Sequence, residues 1–269
     1  MTIIKAALIV QYCPAGSFSG NIATTLELAE QASELGAGFI VFPEMNLTGY
    51  TAGKKIRDIC RPVDTELIDL FSDFSRTRDV TLMVGLAEKT AQSDIYASHL
   101  IFDTTGHIGT YRKIHTAPFE KKYFSAGDRI PVFHVNGLTF GIQLCYDSHF
   151  PELTLAMANQ NADIIFLPHA SPRGTADKKL QSWSRHLTAR AFDNSLYIAA
   201  CNQVGENQAG LSFPGISLFI GPDGNLISSS TKDLPSIHMI EIDRDALRTY
   251  RSHKMRYFLP NRRKDLFPL

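Results

Sequence analysis

Nothing in this chain approaches the ~20 consecutive apolar residues of a membrane-spanning helix. The N-terminal apolar run, Ala6 to Val10, reads as a short strand without the architecture of a signal peptide. An excess of one charge is also missing, since Lys plus Arg and Asp plus Glu both number 27. No global field therefore favours nucleic acid or an anionic membrane, and the Arg262-Arg263-Lys264 cluster is too short to outweigh that balance. Cysteine is sparse: the four at positions 13, 60, 145 and 201 form no CxxC pair and lack the density of a disulfide scaffold. Reduced thiols and a cytoplasmic setting are expected. The nine histidines supply no H-E-x-x-H and no short-spaced ligand pair, so no metal is expected. Gly210-Leu-Ser-Phe-Pro is not a G-x-S-x-G elbow, which leaves a serine hydrolase without an anchor.

No linker or low-complexity segment divides the chain. Its 269 residues, 44% of them hydrophobic, are expected to bury one large α/β core over residues 1–250. Ile3–Gln11 reads as a strand, and Asn21 as the N-cap of a helix running to Gly36. Phe39–Phe42 is a short, fully apolar strand. A helix over Glu66–Arg78 leads to strands at Thr81–Glu88 and Ala97–Asp103 and another toward Tyr111. The second half repeats the order, with strands at Leu138–Leu144, Asp163–Leu167 and Leu196–Asn202 and helices at Pro151–Asn159 and Lys178–Asp193. A hairpin, Ile216–Ile220 to Leu226–Ser229, turns at Gly-Pro-Asp-Gly. Phe39-Ile-Val-Phe-Pro-Glu44 aligns with Ile164-Ile-Phe-Leu-Pro-His169, and Leu100-Ile-Phe-Asp-Thr-Thr-Gly106 with Leu218-Phe-Ile-Gly-Pro-Asp-Gly224. Two similar half-domains follow, most economically two sheets face to face with helices outside. Residues 251–269 carry two prolines and poor periodicity, and read as an arm that lies on a partner subunit.

Three strand ends carry reactive groups. Glu44 follows Phe39-Ile-Val-Phe-Pro; Lys113 and Glu120 lie in Gly109-Thr-Tyr-Arg-Lys-Ile-His-Thr-Ala-Pro-Phe-Glu120; Cys145 precedes Tyr-Asp-Ser-His-Phe-Pro-Glu152. Attack on an amide or nitrile carbon needs a nucleophile, a base, stabilisation of the developing charge and an acid for the leaving nitrogen. Cys145 supplies the sulfur and Glu44 the base. Lys113 favours thiolate and donates to the oxyanion, with the N–H of Tyr146 as second donor. Glu120 orients Lys113 or relays a proton to water. Taken singly each residue has a plainer reading: a core cysteine, a surface carboxylate, a solvated Arg-Lys pair. Cys201, with apolar neighbours on both sides, reads as core.

Glutamate, lysine and cysteine in this order and spacing resemble the nitrilase superfamily of carbon–nitrogen hydrolases. The resemblance rests on Pro43-Glu-Met-Asn-Leu-Thr-Gly-Tyr50, on Tyr111-Arg-Lys-Ile-His115 followed by Glu120 and Tyr123-Phe-Ser-Ala-Gly-Asp128, and on Cys145-Tyr-Asp with Phe150-Pro-Glu152. It extends through Arg190-Ala-Phe-Asp-Asn194 to Leu259-Pro-Asn-Arg-Arg-Lys-Asp-Leu266. It implies a four-layer αββα sandwich, no cofactor, the residue roles just given, and assembly at least as a homodimer through a face beside the active site. Cys-Tyr-Asp looks like the amidase and carbamoylase side, whereas true nitrilases tend to carry Cys-Trp-Glu. The substrate expected is a small-molecule amide or carbamoyl compound. ω-Amidase-like members commonly show Asp-x-Arg-Phe-Pro-Glu. Here His149 replaces that arginine, which weakens the case for an acidic substrate; His149 either contacts substrate or orients the elbow. The segment His169-Ala-Ser-Pro-Arg173-Gly-Thr is the expected specificity loop, with Arg173 its only fixed charge. A papain-like protease lacks its signature here, and an idle binding module would need none of the four reactive residues.

Overall fold

Phe39–Val41, the second strand (β2), is apolar at every position because both of its faces are covered. The computed structural model describes residues 3–51 and 53–267 and places β2 inside a sheet with β1 (Ile3–Tyr12) and β3 (Thr81–Lys89), all parallel. Antiparallel β4 (Ile95–Asp103) and β5 (Gly106–Arg112) extend one edge of that sheet. In the second sheet β7 (Leu138–Ile142), β8 (Ile164–His169) and β9 (Tyr197–Glu206) run parallel, with β6 (Val132–Val135) antiparallel to β7. The short β10 (Ser212–Phe213) pairs with β9, and β11 (Ile216–Ile220) and β12 (Leu226–Thr231) complete that sheet beyond β9. Finally β13 (Ser236–Asp243) returns from the end of the chain to pair antiparallel with β1, Ile3 opposite Asp243.

Written from edge to edge, β13-β1-β2-β3-β4-β5 and β6-β7-β8-β9-β11-β12 have the same sequence of parallel and antiparallel pairings. The internal repeat expected from the strand matches is therefore present. Its first edge strand comes from the far end of the chain instead of preceding β1. The sheets meet where the ends of β1 and β9 pair, Gln11 opposite Gln203.

Alternation along each strand sorts the core into layers. Ala6, Leu8, Phe39 and Val41 face Phe140, Ile142 and Phe166 of the other sheet, with the Phe39 and Phe140 rings edge-on at 5.8 Å. Ala7, Ile9, Ile40 and Phe42 instead meet Leu28, Ala29, Leu67 and Phe71. Those residues belong to α1 (Phe18–Glu34) and α3 (Thr65–Arg78), which lie outside the first sheet; the short α2 (Ile56–Ile59) precedes α3. Two further helices, α4 (Pro151–Asn159) and α5 (Ala176–Asn194), cover the second sheet through Leu153, Met157, Trp183 and Leu187. The result is the expected αββα sandwich. Among the described residues no helix is long and apolar enough to cross a membrane.

Three local expectations change. Asn21 does not cap α1, which starts at Phe18 with Ser17 in the cap position; Asn21 is buried and its Nδ2 donates to Pro14 O and Leu47 O, both at 3.0 Å. Strand β7 stops at Ile142, because Leu144 N–H leaves the ladder for the Asp147 carboxylate at 3.0 Å. The boundary placed at residue 250 falls inside a helix, α6 (Arg244–Ser252), and the arm begins on its own chain. Arg251 pairs with Asp163 at 3.0 Å and donates to Ser195 O and Ala162 O. Leu259 is buried, while Met255, Leu266 and Phe267 are exposed; residues 268 and 269 of the arm lie outside the described residues.

Candidate active site

Glu44 enters the interior because the loop after β2 folds back between the sheets. Gln203 Nε2 donates to its carbonyl at 2.8 Å. Asn46, two residues on, donates to Thr25 Oγ1 at 2.9 Å and accepts from Gly85 N at 2.7 Å. Gly85 is required at that point: a Cβ there would stand 2.6 Å from Met45 N. Lys113 follows β5 directly, and Glu120 sits in the next turn, its Oε2 accepting from Ala117 N at 2.8 Å.

The three side chains form one buried cluster. Lys113 Nζ lies 2.8 Å from Glu44 Oε1 and 3.0 Å from Glu120 Oε2. Glu44 Oε2 accepts from Ala170 N at 3.0 Å, and Glu120 Oε1 accepts from Tyr50 OH at 2.8 Å. Burial of ions at this depth is tolerated only with such complete pairing.

Cys145 opens a 3₁₀ turn, Cys145–His149, with its backbone at φ 41°, the left-handed region that costs a non-glycine residue. Asp147, fully buried, holds that conformation. It accepts from Leu144 N at 3.0 Å, Tyr111 OH at 2.7 Å and His115 N at 2.7 Å, with His115 Nδ1 at 2.9 Å. Tyr111 and His115 flank Lys113 by two residues on either side, so one carboxylate ties the cysteine segment to the lysine segment. Tyr146 N–H lies in the first turn of this 3₁₀ segment, where backbone donors lack a partner inside the helix.

The charges of Glu44, Lys113, Glu120 and Lys179 all act on the Cys145 thiol. Burial, then Glu44, push that thiol up to about 12, against the lowering by Lys113 and Lys179. Lys113 favours the thiolate, as expected, but desolvation and two carboxylates outweigh it. Burial also pushes the Glu44 carboxyl up to about 7, with Lys113 opposing and Glu120 adding to the rise. Burial alone would lower the Lys113 ammonium, but Glu44, Glu120 and Cys145 hold it above its usual value. A neutral thiol beside a carboxylate titrating near neutrality can give up its proton as it attacks.

Cys145 is partly accessible, whereas Cys13, Cys60 and Cys201 are buried. His149 is exposed, its ring 4.7 Å from that of His186 and edge-on to Tyr146, and its carbonyl accepts from Arg190. His169 is buried, stacked on Trp183 at 4.0 Å with Nδ1 2.7 Å from Leu167 O, and burial pushes it down to about 3. It is a neutral wall of the site. Arg173 is exposed at φ 67°, its N–H bonded to Ser212 O, and it is not among the charges that act on the thiol. Besides Lys113, the charge that lowers the thiol is that of Lys179, which carried no motif. Tyr50 and Asp147 stood inside motifs, yet their roles emerge only from their partners.

Residues 5–252 match the family model described as carbon–nitrogen hydrolase. The chain belongs to that family. An (R)-stereoselective amidase of Pseudomonas sp is 29% identical over 88% of this chain and 84% of the relative. A nitrilase of Pyrococcus abyssi is 29% identical over 92% of each. The crystal structure of a carbon–nitrogen hydrolase from Helicobacter pylori G27 has a TM-score of 0.87 at 27% identity, covering 99% of this chain and 97% of the other. Within this carbon–nitrogen hydrolase, Glu44 and Lys113 follow β2 and β5 of the first half-domain, whereas Cys145 follows β7 of the second.

Proposed function

We propose that the chain hydrolyses a linear, non-peptide carbon–nitrogen bond, in a primary amide or an N-carbamoyl amine, through a thioester on Cys145 with release of ammonia. The observation that carries this reading is the partly accessible Cys145 under the influence of the buried Glu44–Lys113–Glu120 cluster. As the sulfur bonds to the carbonyl carbon, its proton passes to Glu44. The oxyanion that forms is stabilised by the Lys113 ammonium and the Tyr146 N–H. Collapse breaks the carbon–nitrogen bond, and the leaving nitrogen takes the proton from Glu44 as ammonia. Glu44 then removes a proton from water, which attacks the thioester and returns the thiol. Glu120, fixed by Tyr50 and Ala117, holds Lys113 in place.

The relative named amidase supports the amide reading. The relative named nitrilase supports a second one, attack of the same sulfur on a nitrile. A coupled ammonia-release screen over primary amides, N-carbamoyl amines and nitriles distinguishes them, with intact-protein mass spectrometry trapping the acyl adduct. Absence of release and of any adduct across the panel would sink the proposal. The proposal includes a reducing, cytoplasmic setting that keeps the thiol free, and a homodimer.

A further inference from the structure

The peptide that joins Cys145 to Tyr146 carries the Tyr146 N–H on one edge and the Cys145 carbonyl on the other. That unit is planar and trans, so a bond that fixes the carbonyl also aims the N–H. Ser148 makes such a bond, its Oγ donating to Cys145 O at 2.8 Å. His186, from α5, reaches the same hydroxyl, with Nε2 3.1 Å from Ser148 Oγ. The peptide before Cys145 is held too, since Asp147 N–H donates to Leu144 O at 3.0 Å. Ser148 is buried and His186 half-buried. The His186 ring packs 4.7 Å from that of His149, which in turn lies edge-on to Tyr146.

A serine often bonds back to a carbonyl three residues earlier, and alone that contact would be local capping. The ring behind it adds a count of protons. A serine hydroxyl has one to give. If it goes to Cys145 O, the ring contact survives only when Nε2 is the donor to Ser148 Oγ. Burial, then His149 and Arg190, push His186 down to about 4 against the opposing Ser182 carbonyl. The ring is therefore neutral where Glu44 becomes a competent base, and it has one N–H to place. Nδ1 lies 3.2 Å from Ser182 O, a carbonyl inside α5 that the helix ladder already engages. A proton on Nδ1 is thus dispensable, whereas one on Nε2 completes a chain of donors that ends on Cys145 O.

We propose that Ser148 and His186 are positioning residues for the oxyanion donor: His186 Nε2–H donates to Ser148, Ser148 donates to Cys145 O, and the peptide so fixed presents Tyr146 N–H to the developing charge. The proposal deepens the hydrolase reading and rests on it. Neither side chain is required to touch substrate. A carbonyl that accepts a bond on one edge of a peptide also makes the N–H on the other edge a stronger donor. His149, expected either to contact substrate or to orient the elbow, takes the second role by packing against both His186 and Tyr146.

Ser148→Ala and His186→Leu should each lower kcat on a hydrolysed amide by about 10- to 100-fold with KM little changed, less than deletion of an oxyanion donor costs. His186→Gln, whose amide N–H can stand where Nε2 does, should restore most of the loss. Because His186 acts through Ser148, the double variant Ser148→Ala/His186→Leu should be no slower than Ser148→Ala. Two probes separate aiming the N–H from placing the sulfur. With butyraldehyde the Cys145 sulfur bonds to the carbonyl carbon and the thiol proton moves to the aldehyde oxygen, which lies against Tyr146 N–H. Its inhibition constant should rise in Ser148→Ala by the factor that kcat falls. Iodoacetamide loses iodide to the sulfur without forming an oxyanion, so alkylation of Cys145 should keep its rate. Nitrogen-15 NMR of His186 should show the Nε2–H tautomer. Alkylation that slows in step with kcat, an Nδ1–H tautomer, or a kcat unmoved in His186→Leu would each overturn the proposal. A native enzyme that releases ammonia from no amide, N-carbamoyl amine or nitrile removes the hydrolase reading alone, since the butyraldehyde and tautomer measurements need no turnover.

Discussion

At Glu44, burial and the Glu120 charge outweigh the pull of Lys113, and the carboxyl titrates at about 7. A general base works only when deprotonated. Below its pKa the competent fraction therefore falls tenfold per pH unit, and above it the rate levels. On an amide that turns over, kcat/KM should rise with unit slope to about 7 and flatten there. Glu44→Gln should lose roughly 10²- to 10⁴-fold in rate along with that acid limb. An acid limb unchanged in Glu44→Gln would assign the base to another group. Cys145→Ala should lower turnover by more than about 10⁴-fold without changing the melting temperature, since only a sulfur is removed. Brief iodoacetamide treatment and peptide mass spectrometry should find Cys145 modified first, because the other three thiols are buried. Its alkylation rate should keep climbing with pH beyond the ~8.5 of a free thiol, since burial and Glu44 hold it at about 12.

The elements matter through what they bring together. The 3₁₀ turn at Cys145 is held to the end of β5 by Asp147, whose carboxylate receives bonds from Tyr111, His115 and Leu144. Asp147→Asn replaces an acceptor by an amide N–H facing those donors. A cost of about 2 kcal/mol is expected in chemical denaturation. The kcat should fall more than KM rises, because the sulfur is displaced relative to Lys113. Retention of full kcat would show that the turn holds its left-handed backbone without Asp147. Strand β3 acts on the opposite side of the site. Gly85→Ala drives a methyl against Met45 N and His99, so overpacking of about 1–3 kcal/mol is expected. The loop carrying Glu44 should shift with it, and circular dichroism melts with steady-state rates will register both losses.

On the scale of the whole molecule, the arm is divided. Its base is fastened to its own chain by Arg251, and Phe258 packs on Phe192 at 5.5 Å. Beyond that, Leu266 and Phe267 remain 60% and 65% exposed beside Phe258 and Leu259. Apolar side chains left on a rim of this kind mark an interaction surface, and two-fold pairing is the commonest cover. Light scattering should give a mass twice the 29.9 kDa of one chain. Deletion of residues 263–269 should shift it toward one chain and reduce activity, without the loss of fold that removing Arg251 would bring. A fully active monomer before the deletion would reject the dimer.

The sandwich was legible in the sequence because strand and helix periodicity are local properties of the chain. So was the repeat, since β2 and β8 are both apolar runs with a proline close to their C-terminal end and both feed the site. Glu44, Lys113, Glu120 and Cys145 stood out because reactive residues just after strands are brought to one end of a sheet. The pairing of β13 with β1 was not legible, since its register joins residues at opposite ends of the chain. Nor was the burial of Asn21 against Pro14 and Leu47, which a cap-like position disguises. The upward push on the Cys145 thiol was decided only by tertiary structure. Desolvation and Coulomb interactions sum over neighbours in space, and Glu44, Lys113 and Glu120 all lie far from Cys145 along the chain.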